Sequence, residues 1–165
     1  MSTDLGSRLE GLVSTSEAGD YAATGFHHKH TADLKNLVAI AEASAKAGYF
    51  LEMMTCEDRR EDAQAMRLCY TFNALEAVDR HLLKVDVPPV GAPNPSFTAP
   101  TLNGVYRGAN WFEREVFDMY GVDFEGHPEL ERILLPEDAD FFALRRDFGR
   151  IEDAESEDDA EASDD

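Results

Sequence analysis

The sequence predicts an α+β fold: a small antiparallel sheet covered by a long helix, with an extended C-terminal arm and a disordered acidic tail. Three observations predict it. One stretch carries apolar residues at helical spacing over several turns. Three successive stretches read as strands joined by short polar links. Beyond a proline-rich passage, a second helix leads into a segment too apolar to stand in water. The 165 residues divide into an α+β domain over 1–97, a helix with a docking arm over 98–149, and the tail over 150–165.

From the N-terminus, Asp4–Val13 predicts a short helix with Leu5, Leu9 and Leu12 on one side. Tyr21–His28 reads as a strand. The long helix follows from Thr31, a candidate cap, with Leu34, Leu37, Val38, Ala41 and Ala45 on one face and Gly48 at its end. Tyr49–Glu57 is apolar enough for a central strand. Met66–Ala74 alternates, with Met66, Leu68, Tyr70 and Phe72 on the side expected to face the core. His81–Pro89 is the third strand, stopped by Pro88 and Pro89. Pro93, Pro95 and Pro100 predict an extended link leading away from the sheet. Thr101 is placed to cap one short turn. Asn110 is the candidate cap of the second helix, and Gly121 closes it.

Composition bounds the function. The net charge of −19 argues against nucleic acid as a partner and against docking on anionic lipid. Nine acids and no Lys or Arg lie in 151–165, which leaves the rest of the chain at about −10. No run approaches the roughly 20 apolar residues of a membrane helix, and the N-terminal stretch lacks a signal-peptide core. A soluble intracellular protein is expected. Cys56 and Cys69 lie thirteen apart, which excludes a standard iron–sulfur or structural zinc site built from this chain and predicts buried thiols. His27, His28 and His30 are placed in a solvated loop with only Asp33 as a nearby carboxylate, and His81 at the surface. No metal site is expected from them. The two glycines of LNGVYRGAN lack the strand and helix context of a dinucleotide site.

The most informative stretch is WFEREVFDMYGVDFEGHPELERILLPED, Trp111 to Asp138. Its helix puts Phe112, Val116, Met119 and Tyr120 on one face, with Trp111 and Phe117 flanking it. Arg114 and Asp118 are spaced to pair. Glu113 borders the apolar band and needs a partner if buried. After Gly121, Val122 and Phe124 point inward, Gly126 permits a tight turn, and His127 before Pro128 is extended. The apolar residues beyond must fold back on this chain or pack on a partner. Glu113, Glu115, Asp118 and His127 are the residue types of an acid–base set. Nothing in the sequence joins His127 to the others, so charge pairing with Arg114 and Arg132 is the reading adopted.

This stretch is very similar to the signature of the C-type, 30-kilodalton subunit of respiratory complex I, the NADH–quinone oxidoreductase component without a cofactor. Glu113, Arg114, Glu115, Asp118, Tyr120, Gly121, Phe124, Gly126, His127, Pro128, Arg132, Ile133 and Leu134 fall on matching positions. LRRDF, with Arg145, Arg146 and Asp147, resembles the element that follows. DADFFA stands where the family has a second turn of the Trp-x-Gly-His-Pro kind. A weaker resemblance extends the match over roughly residues 30–148.

The resemblance implies a cofactor-free docking subunit whose arm wraps the D-type, quinone-site neighbour, beside neighbouring iron–sulfur subunits. Trp111 and the residues just named would form the docking surface. NADH, FMN, iron–sulfur clusters and quinone would belong to the complex, on the cytoplasmic side of the cell membrane, and membrane contact would come only through it. Two alternatives stand beside this reading: the equivalent subunit of a membrane-bound [NiFe] hydrogenase or formate hydrogenlyase-like complex, and a free-standing acid–base enzyme using Glu113, Asp118 and His127.

Overall fold

The computed structural model describes residues 5–149 except 92 and 94. The expected acidic tail lies outside the described residues. The fold is α+β, as the sequence predicts. Strands β1 (Thr15–Ala18), β2 (His28–Ala32), β3 (Tyr49–Arg59), β4 (Ala65–Ala74) and β5 (Arg80–Val87) form one sheet in the order β1-β2-β5-β4-β3. The predicted meander is its β3-β4-β5 half, antiparallel throughout. The other half adds β2, which runs parallel to β5, and β1 antiparallel at the edge.

Helix α1 (Leu5–Leu9) buries its two terminal leucines and stops before Gly11, at φ 80. The strand expected over Tyr21–His28 is displaced. Asp20 accepts a hydrogen bond from the Ala23 amide and caps a one-turn helix, α2 (Tyr21–Thr24), which Gly25 ends in the left-handed region. The strand therefore begins at His28, and two of the three histidines expected in a loop, His28 and His30, become part of the sheet, while His27 stays in the bend before it. His30 and His81, the latter expected at the surface, are 2% and 1% exposed. Thr31 is likewise a strand residue rather than a cap. The long helix begins as a 3-10 turn (Leu34–Asn36) and continues as α3 (Leu37–Lys46), burying Leu37, Ile40, Ala41 and Ser44. Asn36 donates its side-chain amide to the Leu12 carbonyl, tying the N-terminal segment to the start of α3.

Met66, Leu68, Tyr70 and Phe72 of β4 are fully buried, as the alternation predicts. The opposite face also buries Cys69 and Thr71. There Arg67–Asp86 pairs neighbouring β4 and β5, and Lys84–Glu57 reaches over β4 from β5 to β3, so aliphatic stems of charged side chains supply cover. Cys56 and Cys69 are free and buried, as expected, and burial pushes the Cys69 thiol up to about 12.

The proline-rich link does not leave the fold. It supplies β6 (Pro89–Val90) and β7 (Ser96–Pro100), and β8 (Val122–Glu125) pairs parallel to β7 in a second sheet. Between β7 and β8 runs helix α4 (Ala109–Tyr120), packed on β3. Its N-cap is Gly108; Asn110, the expected cap, lies inside the helix. The buried residues form one cluster from Leu5 to Phe124, with contributors on both sides of position 97. No helix among the described residues is long and apolar enough to cross a membrane.

Candidate docking surface

Helix α4 and the 24 residues from Gly126 to Gly149 are built together. An α-helix ends with four carbonyls that lack partners within it. Here each has one. The Phe117 carbonyl accepts from the Gly121 amide at 2.9 Å, and the Met119 carbonyl from the Leu144 amide at 3.1 Å. Arg132 Nη1 donates to the Asp118 carbonyl at 3.0 Å, and Arg145 Nε to that of Tyr120 at 2.7 Å. Three of the four partners come from the arm. Both guanidiniums also sit where the helix dipole favours positive charge.

Asp118 fixes the arm a second time. It pairs with Arg132, not with Arg114 as its spacing suggested: Arg132 Nη1 reaches Asp118 Oδ1 at 2.7 Å. Oδ2 accepts the successive amides of Ile133, Leu134 and Leu135 at 3.0, 2.7 and 3.0 Å. Three consecutive amides make a concave anion site, and the carboxylate fills it. Burial alone would raise the pKa of this fully buried acid, but the amides and Arg132 outweigh burial and hold it below the ordinary range. The aspartate of the signature and its Arg-Ile-Leu are thus two halves of one device.

The other buried acid, Glu113, ties α4 to the link before it. Its carboxylate accepts the Thr101 hydroxyl at 2.5 Å and the Leu102 amide at 2.6 Å. Thr101 Oγ1 also accepts the Asn103 amide, so it caps the turn as expected. Burial pushes Glu113 up to about 6, against the lowering effect of those two donors. The fold also places His127 beside it, with Nε2 3.9 Å from Glu113 Oε2 and both side chains fully enclosed. His127 Nδ1 accepts the Glu129 amide at 3.1 Å, which leaves Nε2 to donate to the Asn110 carbonyl at 3.3 Å. The clefts lined by Asp33, by Phe148 and by Leu75 all lie away from this pair.

A third buried carboxylate, which the sequence did not single out, holds the arm's far end. Asp58 closes β3 and accepts from Arg60 Nε and Nη2 and from the Arg60 and Arg146 amides. Arg60 Nη2 reaches on to Asp147 at 2.8 Å. Burial would raise Asp58, and these donors lower it well below the ordinary carboxylate range. The only sequence signal was a polar connection, DRREDAQ, which gives no hint of its partner 88 residues away.

The remaining expected site residues divide by exposure. Phe124 is in the core and Tyr120 packs against it. Gly121 and Gly126 both have positive φ, and Pro128 follows the turn. Arg114 donates to the Glu131 carbonyl and lies 5.3 Å over the Trp111 ring. Glu115 is exposed, Trp111 is 63% exposed and Leu134 is 64% exposed. Phe142 lies against both Arg132 and Arg145, 5.3 and 4.0 Å from ring centre to guanidinium. Phe141 and Phe148 stack at 5.0 Å and line a shallow cleft, and Leu144 is exposed beside them in sequence. The arm does fold back on its own chain, through polar pins, and turns large apolar groups outward.

A family model described as "Respiratory-chain NADH dehydrogenase, 30 Kd subunit" matches residues 28–153. The chain belongs to this family. Among its relatives is a protein named NAD(P)H-quinone oxidoreductase subunit J from Prochlorococcus marinus strain NATL1A. It is 35% identical over 120 residues, covering 68% of this chain and 66% of the relative. The C-type NADH-quinone oxidoreductase subunit of Neorickettsia sennetsu is 43% identical over 91 residues, 55% of this chain and 46% of the relative. The chain therefore spans at most about two thirds of the length of these relatives. Among solved structures, one from the membrane-bound sulfane sulfur reductase, an archaeal respiratory membrane complex, superposes with a TM-score of 0.70 at 19% identity, over 89% of this chain and 84% of that one. The trypsin-resistant fragment of Nqo5 gives a TM-score of 0.56 at 23% identity, over 76% and 94%. These two likenesses establish the fold of this 30 Kd subunit family member. The signature residues read from the sequence fall inside the family match.

Proposed function

We propose that this chain is a cofactor-free docking subunit in the peripheral arm of a proton-translocating NADH–quinone oxidoreductase. In this reading it holds the D-type, quinone-site subunit and neighbouring iron–sulfur subunits in register, while electrons pass from NADH through FMN and iron–sulfur clusters to quinone. In this reading the chain lies peripherally on the cytoplasmic side of the cell membrane and touches the membrane only through the complex. Family membership and the names of the relatives support the assignment to the complex.

The observation that carries the docking role is the way the arm is held. Buried carboxylates and helix-end carbonyls fix its backbone, while Leu134, Leu144, Phe141 and Phe148 face outward. A surface built only for water would not be rigidly presented with its large apolar groups exposed. The segment 98–149 is the docking section in this reading. Glu113 and Asp118 act from inside by shaping it, and Trp111, Leu134 and the arm's phenylalanines make the contact.

Affinity purification of the native complex through a tag on this chain tests the proposal. Co-purification of a quinone-site subunit without nickel-ligating cysteine pairs, together with iron and flavin, is expected. Recovery of this chain alone, monomeric and free of iron and flavin, overturns the proposal.

A further inference from the structure

We propose that His28, Asp79 and His81 form a binding site for a divalent transition-metal ion of the zinc type. One donor atom from each residue lies within 4.8 Å of the other two. His81 Nε2 is 3.1 Å from Asp79 Oδ2, and His28 Nε2 is 3.7 Å from Asp79 Oδ1. Zinc bonds nitrogen and oxygen at about 2.0–2.2 Å, so two ligands of one tetrahedral ion lie roughly 3.3–3.6 Å apart. The two histidine–aspartate separations, each to a different Asp79 oxygen, bracket that value, and the histidine donors lie within 4.8 Å of each other.

The sheet builds the site. His28 and His81 are register partners across the parallel β2–β5 pair, with ring centres 4.5 Å apart. Asp79 closes the turn that leads into β5 and faces both rings. Tyr49 donates its hydroxyl to Asp79 Oδ2, which orients the carboxylate. His28 is half-exposed and Asp79 partly so, which gives an ion a way in, and three protein ligands leave a fourth position for water. Two imidazoles and one carboxylate suit zinc and its first-row neighbours. The hard cations calcium and magnesium prefer all-oxygen sites.

The tautomer sets the strength. Metal binding through His81 Nε2 puts the ring proton on Nδ1, which lies 2.9 Å from His30 Nε2 and donates to it. His30 then carries its own proton on Nδ1, which is buried and has no hydrogen-bond partner among the described residues. That unpartnered proton is a cost, and it makes the site weaker than one whose histidine is backed by a carbonyl. The ion would clip the start of β2 to the β4–β5 turn, and the inference is independent of the docking reading.

The competing account is a hydrogen-bonded histidine–aspartate chain that needs no ion. Calorimetric titration of the tag-free full chain with zinc at neutral pH separates the two, together with cobalt absorption spectra and melting curves. One saturable equivalent is expected, with a tetrahedral nitrogen–oxygen cobalt spectrum and a zinc-dependent rise in Tm. Both His28→Ala and Asp79→Asn are expected to weaken binding at least tenfold and abolish that rise, with circular dichroism reporting that each variant is folded. Absence of saturable binding overturns the site. So does binding that both variants retain unchanged, since the ion would then sit on other acids of the chain.

Discussion

Replacing Asp118 with Asn keeps the side-chain shape and removes the charge shared by Arg132 and three amides. Breaking one partner of a buried, hydrogen-bonded charge set costs about 3–5 kcal/mol. We expect Asp118→Asn to lose stability on that order by urea denaturation, and to raise amide exchange at Ile133–Leu135 first. Because its folded pKa is depressed, the contribution of Asp118 is present above the ordinary 3.8 and lost as pH falls further. Glu113 acts in the opposite sense. Its pKa rises from 4.5 to about 6 on folding, so the folded state holds its proton longer than the unfolded chain does. Stability should fall by on the order of 2 kcal/mol as pH rises through that window. Urea midpoints at pH 5 and pH 7.5 check this, and Glu113→Gln should flatten the difference; an unchanged slope counts against it. At this scale the sequence singled out Glu113, Asp118 and Arg132 but not Asp58, and it offered Arg114 as the spaced partner of Asp118. Helical spacing offers Arg114, whereas the choice of Arg132 depends on where the arm returns, which no local pattern encodes.

Elements depend on the same returns. Gly121 has φ 69, and a Cβ there would meet Arg145 Nη2 and Phe142 Cζ at 2.5 Å. Left-handed backbone costs a residue with a side chain roughly 1–2 kcal/mol, and here the added carbon also displaces the groups that cap α4. Gly121→Ala should lower Tm and, in limited proteolysis, open cleavage after Arg145 and Arg146 before any site in the sheet. Cleavage in the sheet at equal rate would mean that α4 and the arm are not separately held. The strands β3, β4 and β5 were legible because alternation and apolar runs report burial directly. Strand β2 was not: HHKH is polar, and its burial comes from pairing with β5 some 50 residues on. Helix α3 was legible at Leu37 and Ala41, but Ala45, placed on the same face, is exposed and Ile40 is buried instead; its start was misplaced because Thr31 serves the sheet. The prolines of the link hid β7, a strand on which β8 docks from beyond α4.

For the molecule as a whole, the fold class followed from the pattern of elements, while the second sheet and the histidine–aspartate cluster required long-range placement. The docking reading makes a contrast that assembly assays can measure. Leu134→Asp and Phe148→Ser should weaken incorporation into the native complex at least tenfold and leave the Tm of the isolated chain within a few degrees. Phe124→Ala removes a core ring and should cost about 3–5 kcal/mol in the isolated chain. Equal losses of Tm in all three would place the arm's outer residues in this chain's own core. The capping of α4 also has a consequence in time. Arg145, which closes the Tyr120 carbonyl, is made 25 residues after it. At roughly 5–20 residues per second, a ribosome leaves the last turn of α4 without its final partners for about one to five seconds. Through that interval the nascent helix end is an open acceptor, and the order in which the chain is made decides when the arm's outer face first exists.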